Sequence, residues 1–172
     1  MNITDLRRQL SALPQRELED LIIEVCNKNK QFRELVEITF DPALENVAFE
    51  KYKKQIISEF FTARGFGKLR FSVTRNALKN FMDLSKNPEL IADLMMTHVE
   101  SGVNYTNEYG DIDERFYDNI AGMYVKVLRY IAEHDLKEDF IERCKAVVTS
   151  SDGIGWGFHD ELYDSFYEYY SE

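Results

Sequence analysis

The chain has 172 residues, 44 % of them hydrophobic and 30 % charged, with a formal net charge of −10. That length suffices for a single domain, residues 1–172, with a core of its own, and only three prolines and eight glycines argue against a disordered or loop-rich chain. No run approaches the ~18 apolar residues of a membrane span. The polar start, MNITDLRRQLSALPQ, lacks the apolar centre of a secretory leader, so a cytoplasmic protein with no membrane contact is expected.

Residues 4–13 read as a short helix capped by Thr4, with Leu6, Leu10 and Leu13 on one side. Pro14 breaks it and opens a second helix at 14–28, whose stripe is Leu18, Leu21, Ile22 and Val25. A third covers 30–39 with Phe32, Leu35 and Val36 inward. Asp41-Pro42 starts a long helix to about Arg64, with Leu44, Val47, Tyr52, Ile56, Phe60 and Phe61 near one face. The glycines of Arg64-Gly65-Phe66-Gly67 stop it.

Residues 71–101 form two amphipathic helices broken at Lys86-Asn87-Pro88 and are expected as the inner layer. Asn87 suits an N-cap and Pro88 the first helical position. Leu90, Ile91, Leu94, Met95, His98 and Val99 recur at spacings of three and four, and Gly102 is placed to end this helix. A polar loop, GVNYTNEYGDID, follows. Asp111 or Asp113 caps a helix at 113–134, a further helix covers 136–149, and a Ser/Gly loop leads to a last one at 159–170. The expectation is all-α: eight or nine antiparallel amphipathic helices in a stacked array, with a short HEAT-like curved solenoid as one form it can take. No fixed internal period marks a repeat protein.

Charge is unevenly spread. Residues 1–86 carry 15 Lys/Arg against 12 Asp/Glu, and residues 87–172 carry 6 against 19. Within the first half, residues 51–79 hold eight basic residues against Glu59 alone. Lys54, Arg64, Lys68, Arg70, Arg75 and Lys79 from this stretch are the candidate binding residues. Interleaved with Tyr52, Phe60, Phe61, Phe66 and Phe71, they have the composition of a nucleic-acid surface, cations for phosphates and rings for bases. The acidic chain as a whole opposes that reading, and the aromatics equally fit a core stripe.

No motif carries chemistry. None of the three histidines has a Glu three residues before it, as a helical di-iron site needs; His98, on an apolar stripe, reads as a satisfied core histidine. Asp111, Asp113 and Glu114, with Asn104, Asn107 and Glu108, have the ligand types for a cation but read as a solvated loop with an N-cap. No phosphate loop, dinucleotide fingerprint or nucleophile elbow occurs. Cys26 and Cys144 are expected as reduced, small apolar residues. No catalytic residue, metal site or cofactor is assigned.

The run from Ser72-Val73 through Arg75, Ala77, Lys79 and Phe81, then Pro88, Leu90-Ile91-Ala92-Asp93-Leu94-Met95 and Val99-Glu100, resembles an uncharacterised bacterial family known as a domain of unknown function. Leu10, Leu13, Glu17-Leu18 and Leu21-Ile22 are similar to that family's start, and the likeness extends to about residue 149. It implies a small all-helical intracellular protein and transfers no catalytic residue. The opposed charges of the two halves and the absence of catalytic motifs lead to the expected function, a non-catalytic helical module that binds another protein or its own copy. The aromatic tail (Phe158, Tyr163, Phe166, Tyr167, Tyr169, Tyr170) belongs either to that interface or to a helix covering the core. Nucleic-acid binding through residues 51–79 is the alternative, and a metal-dependent enzyme the third.

Overall fold

The computed structural model describes residues 1–170. Nine helices lie among them, α1 (Ile3–Ala12), α2 (Gln15–Lys28), α3 (Lys30–Phe40), α4 (Leu44–Phe60), α5 (Phe71–Leu84), α6 (Pro88–Tyr109), α7 (Glu114–Glu133), α8 (Lys137–Ser150) and α9 (Phe158–Tyr170). The fold is all-α, as the periodicity predicts. No helix among the described residues is long and apolar enough to cross a membrane. The chain forms two compact units, Met1–Glu45 and Asn46–Glu172.

The first unit holds α1 to α3. Asn2, rather than Thr4, caps α1, its side chain accepting the Asp5 N–H at 2.9 Å. Pro14 separates α1 from α2, and Asn29 both ends α2 and caps α3 by accepting the Phe32 N–H. The helices α2 and α3 lie against each other. Their apolar residues recur at helical spacing, yet none of α1, α2 or α3 contains a buried residue.

The second unit contains the core. Its first helix, α4, ends at Phe60, short of the expected Arg64, because the chain reverses there. Phe61–Thr62 (β1) pairs antiparallel with Gly65–Phe66 (β2), Phe61 opposite Phe66. The returning chain then satisfies the last carbonyls of α4: Gly67 donates to Phe60 O at 2.6 Å and Leu69 to Glu59 O at 2.8 Å. Gly67 is required by this approach, since a Cβ there would lie 2.2 Å from Glu59 O. The stripe of α4 also differs from expectation. Val47 is exposed, and Ala48, Phe49, Tyr52, Ile56 and Phe60 face the core.

Asn87 caps α6 as the sequence predicts, accepting the Glu89 and Leu90 N–H groups with Pro88 at the first position. The helix runs straight through Gly102 and ends at Tyr109, so most of the expected polar loop is its last two turns. Gly102 is buried, and a Cβ on it would lie 2.4 Å from Ile120 Cδ1. The glycine lets α6 and α7 approach closely instead of terminating α6. Termination falls to Gly110, at φ 85°. Thirteen of the 22 residues of α6 are buried, which makes it the innermost helix, in contact with α5, α7 and α8.

Asp113 caps α7 through the Phe116 N–H at 2.8 Å. Ile120, Tyr124, Val127, Leu128 and Ile131 follow on its buried face. On α9, Phe158, Leu162 and Phe166 are buried, while Tyr163 and Tyr167 stay exposed. An ion-pair network ties three helices together. Arg143 on α8 forks onto Glu100 of α6 with two bonds of 2.9 Å and reaches Asp93 of α6 at 2.9 Å. Lys53 of α4 meets the same Asp93 at 3.4 Å.

Candidate anion-binding cavity

The six cations singled out in residues 51–79 do not all line one site. Arg70 and Arg75 line one cavity of about 380 Å³. Lys54 on α4, Arg64 at the hairpin turn, Lys68 in the following loop and Lys79 on α5 are exposed and form no part of its wall. The cavity instead recruits Arg115, from the acidic half of the chain.

Arg70 precedes α5 and is fixed from behind. Its Nε and Nη2 donate to Glu59 Oε2 and Oε1 at 3.0 and 2.6 Å, and its backbone N–H donates to Oε2 at 3.1 Å. Glu59 is a buried carboxylate, and the Arg70 fork holds it below the usual carboxylate range. Leu69 adopts φ 52° to make this turn, a left-handed conformation that costs a leucine about 1 kcal/mol or more. Arg75 follows Phe71 by four residues and so shares its face of α5.

The opposite wall is the start of α7. Arg115 sits in its first turn, and Asn119, four residues on, shares that face. Asp113 is also at the wall, with its carboxylate engaged as the α7 cap. Neither Arg75 nor Arg115 forms an ion pair among the described residues. Phe71 and Phe116 contribute apolar surface, their ring centroids 5.8 Å apart. No side chain caps α5, and residues of the first turns of both α5 and α7, where negative charge is favoured, contribute to the cavity wall.

Below Phe71 lies His98, 0 % exposed, with its ring 5.8 Å from Phe71 and 5.4 Å from Phe60. The expected core position holds, but the expectation that it is satisfied does not. Neither ring nitrogen has a hydrogen-bond partner. Burial, with the Arg75 charge as a lesser cause, pushes its pKa down to about 4, so the ring is neutral at pH 7.

The acidic loop is an internal staple. Asp111 accepts from Tyr117 Oη at 2.6 Å and from Trp156 Nε1 at 2.9 Å, and these bonds hold its carboxyl below the usual range. Ser151 Oγ and His159 Nδ1 are 2.9 Å apart. However, Ser151 is 0 % exposed and donates its proton to Val148 O at 2.7 Å, so the pair closes the end of α8 and presents no nucleophile. Among the described residues no group of three or more His, Cys, Asp or Glu could hold a metal ion. Cys26 and Cys144 are both free thiols.

Fold and site together define an all-helical protein with an arginine-lined cavity and no enzyme-like motif or metal-binding cluster among its described residues. Residues 1–170 match the family of unknown function DUF6155, and the chain belongs to that family. No curated protein and no solved structure matches the chain.

Proposed function

We propose that the protein is a non-catalytic binding module whose N-terminal helices associate with those of a second copy of the chain. The observation that carries this reading is the state of the first unit. No side chain of α1, α2 or α3 is buried, while Leu21, Ile22, Ile23, Leu35 and Phe40 remain more than a third exposed, Phe40 at 85 %. Three amphipathic helices of this size do not bury enough apolar area alone to offset their ordering entropy, and a partner surface supplies the missing burial.

Charge favours a like partner. Around the stripes, α1 carries Arg7 and Arg8 against Asp5, whereas α2 carries Glu17, Glu19, Asp20 and Glu24 against Arg16 and Lys28. A two-fold arrangement that lays α1 of one copy on α2 of the other sets opposite signs face to face twice, as an isologous interface requires. The net charge of −10 weighs against nucleic acid as the partner.

Native mass measurement and sedimentation of the full chain over a wide concentration range test the reading. A concentration-dependent dimer is expected, and Leu21→Glu with Ile22→Glu converts it to a monomer whose second unit stays folded. A monomer at every concentration overturns the proposal, as does a dimer indifferent to those substitutions. A parallel titration with oligonucleotides at about 50 and 200 mM salt, a range over which phosphate contacts weaken sharply, addresses the alternative. Tight binding lost at the higher salt would assign function to the basic stretch instead.

A further inference from the structure

We infer that the cavity between the starts of α5 and α7 binds a small ligand bearing a terminal phosphate monoester, held by Arg75 and Arg115 with Arg70 as a fixed third cation. This site lies wholly in the second unit and is independent of the N-terminal association.

A helix start favours anions and disfavours cations. Here two helix starts each carry arginine, Arg70 immediately before α5 and Arg115 in the first turn of α7, and Arg75 is added from the next turn of α5. One of these charges is answered: Arg70 is paired with Glu59. Asp113 at the wall answers another in part, although its oxygen is engaged by the Phe116 N–H. The remaining positive charge faces a space of about 380 Å³ with no further carboxylate in its wall. An anion in that space would neutralise this charge beside the first turns of two helices, positions that favour negative groups.

Ligand class follows from the donors. Guanidinium forks match phosphate oxygens with paired bonds, and Arg forms them more directionally than Lys. Donors arriving from two separate helices surround a terminal group with three free oxygens better than they track a phosphodiester, which offers two oxygens and continues in both directions. The volume suits a small molecule. Asn119 adds a neutral polar group, and Phe71 with Phe116 gives the ligand's organic part apolar contact. Glu59 fixes the orientation of Arg70, so that part of the site is preorganised.

The test titrates the full chain with phenyl phosphate, inorganic phosphate and a single-stranded oligonucleotide without terminal phosphates, followed by amide shifts and calorimetry. Expected are saturable phenyl phosphate binding with shifts confined to the first turns of α5 and α7, weaker inorganic phosphate binding, and no specific oligonucleotide binding. Arg115→Ala and Arg75→Ala each weaken phenyl phosphate at least tenfold and leave the thermal transition in place, since Arg75 and Arg115 are exposed. Lys54→Ala and Lys79→Ala change nothing. Absence of saturable binding, or binding that survives the Arg75→Ala/Arg115→Ala double variant, overturns the inference. So does an oligonucleotide that binds through the same arginines more tightly than phenyl phosphate.

Discussion

The two units of this chain use the same amphipathic helices to different ends. In residues 46–172, stripes from α4 to α9 meet one another, and residues such as Ile56, Phe60, Phe81, Ile120 and Tyr124 are fully buried. In residues 1–45, α1 to α3 have equally regular stripes and good caps at Asn2 and Asn29, yet no residue is buried. Caps and periodicity specify a helix; they do not supply the facing surface that turns a stripe into a core. The second unit contains its own counter-surfaces, and the first has them only in part.

The largest expected effect breaks this comparison if it fails. Phe81 is 0 % exposed and meets Phe49 and Tyr52 at ring distances of 5.8 and 6.0 Å, so Phe81→Ala should cost about 3–5 kcal/mol. Phe40→Ala, at a side chain 85 % exposed, should cost under about 0.5 kcal/mol. The single tryptophan, Trp156, lies in the second unit and reports its unfolding by fluorescence in denaturant. Equal costs for the two substitutions would mean that the units share one cooperative core.

A second expected effect arises from His98 and belongs to the second unit alone. Its pKa falls from 6.5 in the unfolded chain to about 4 in the fold. The unfolded state therefore binds more protons between those values, and stability is lost as pH falls through that window. The full loss is roughly 3 kcal/mol. Denaturation midpoints measured from pH 7 to 4 should show this decline, and His98→Leu should flatten it. A decline of the same size in the variant would place its origin in other groups.

The smallest of the three sharpens the point about counter-surfaces. Alanine is the better helix former by about 1 kcal/mol, yet Gly102→Ala should destabilise by about 1–3 kcal/mol through overpacking, because its Cβ would meet the Ile120 side chain at 2.4 Å. Thermal melts of the variant and of the Gly102→Ala/Ile120→Val pair measure this. The pair should recover part of the loss, and a neutral Gly102→Ala would mean that α6 and α7 separate easily at this contact.

Helix content, most boundaries and several caps were legible because they depend on neighbours in the chain: Asn87 with Pro88, Asp113 before its helix, and stripes repeating every three or four residues. The same local logic misplaced the end of α6. It treated Gly102 as a terminator, and only the position of Ile120 on a different helix shows what that glycine is for. The end of α4 escaped for a similar reason, since the carbonyls of Glu59 and Phe60 are satisfied by residues beyond a hairpin. The candidate site was half visible. Arg70 and Arg75 stood out in a basic stretch, while Arg115 is 40 or more positions away in an acidic half. Its one sequence signal is a cation in the first turn of a helix, where the dipole disfavours it. Composition and periodicity thus determined that this chain is helical, because each helix is a short-range arrangement of backbone bonds and stripes. Which stripes acquire partners, which arginines converge, and that His98 lies buried without a partner were decided by packing between residues distant in the chain, which local spacing does not encode.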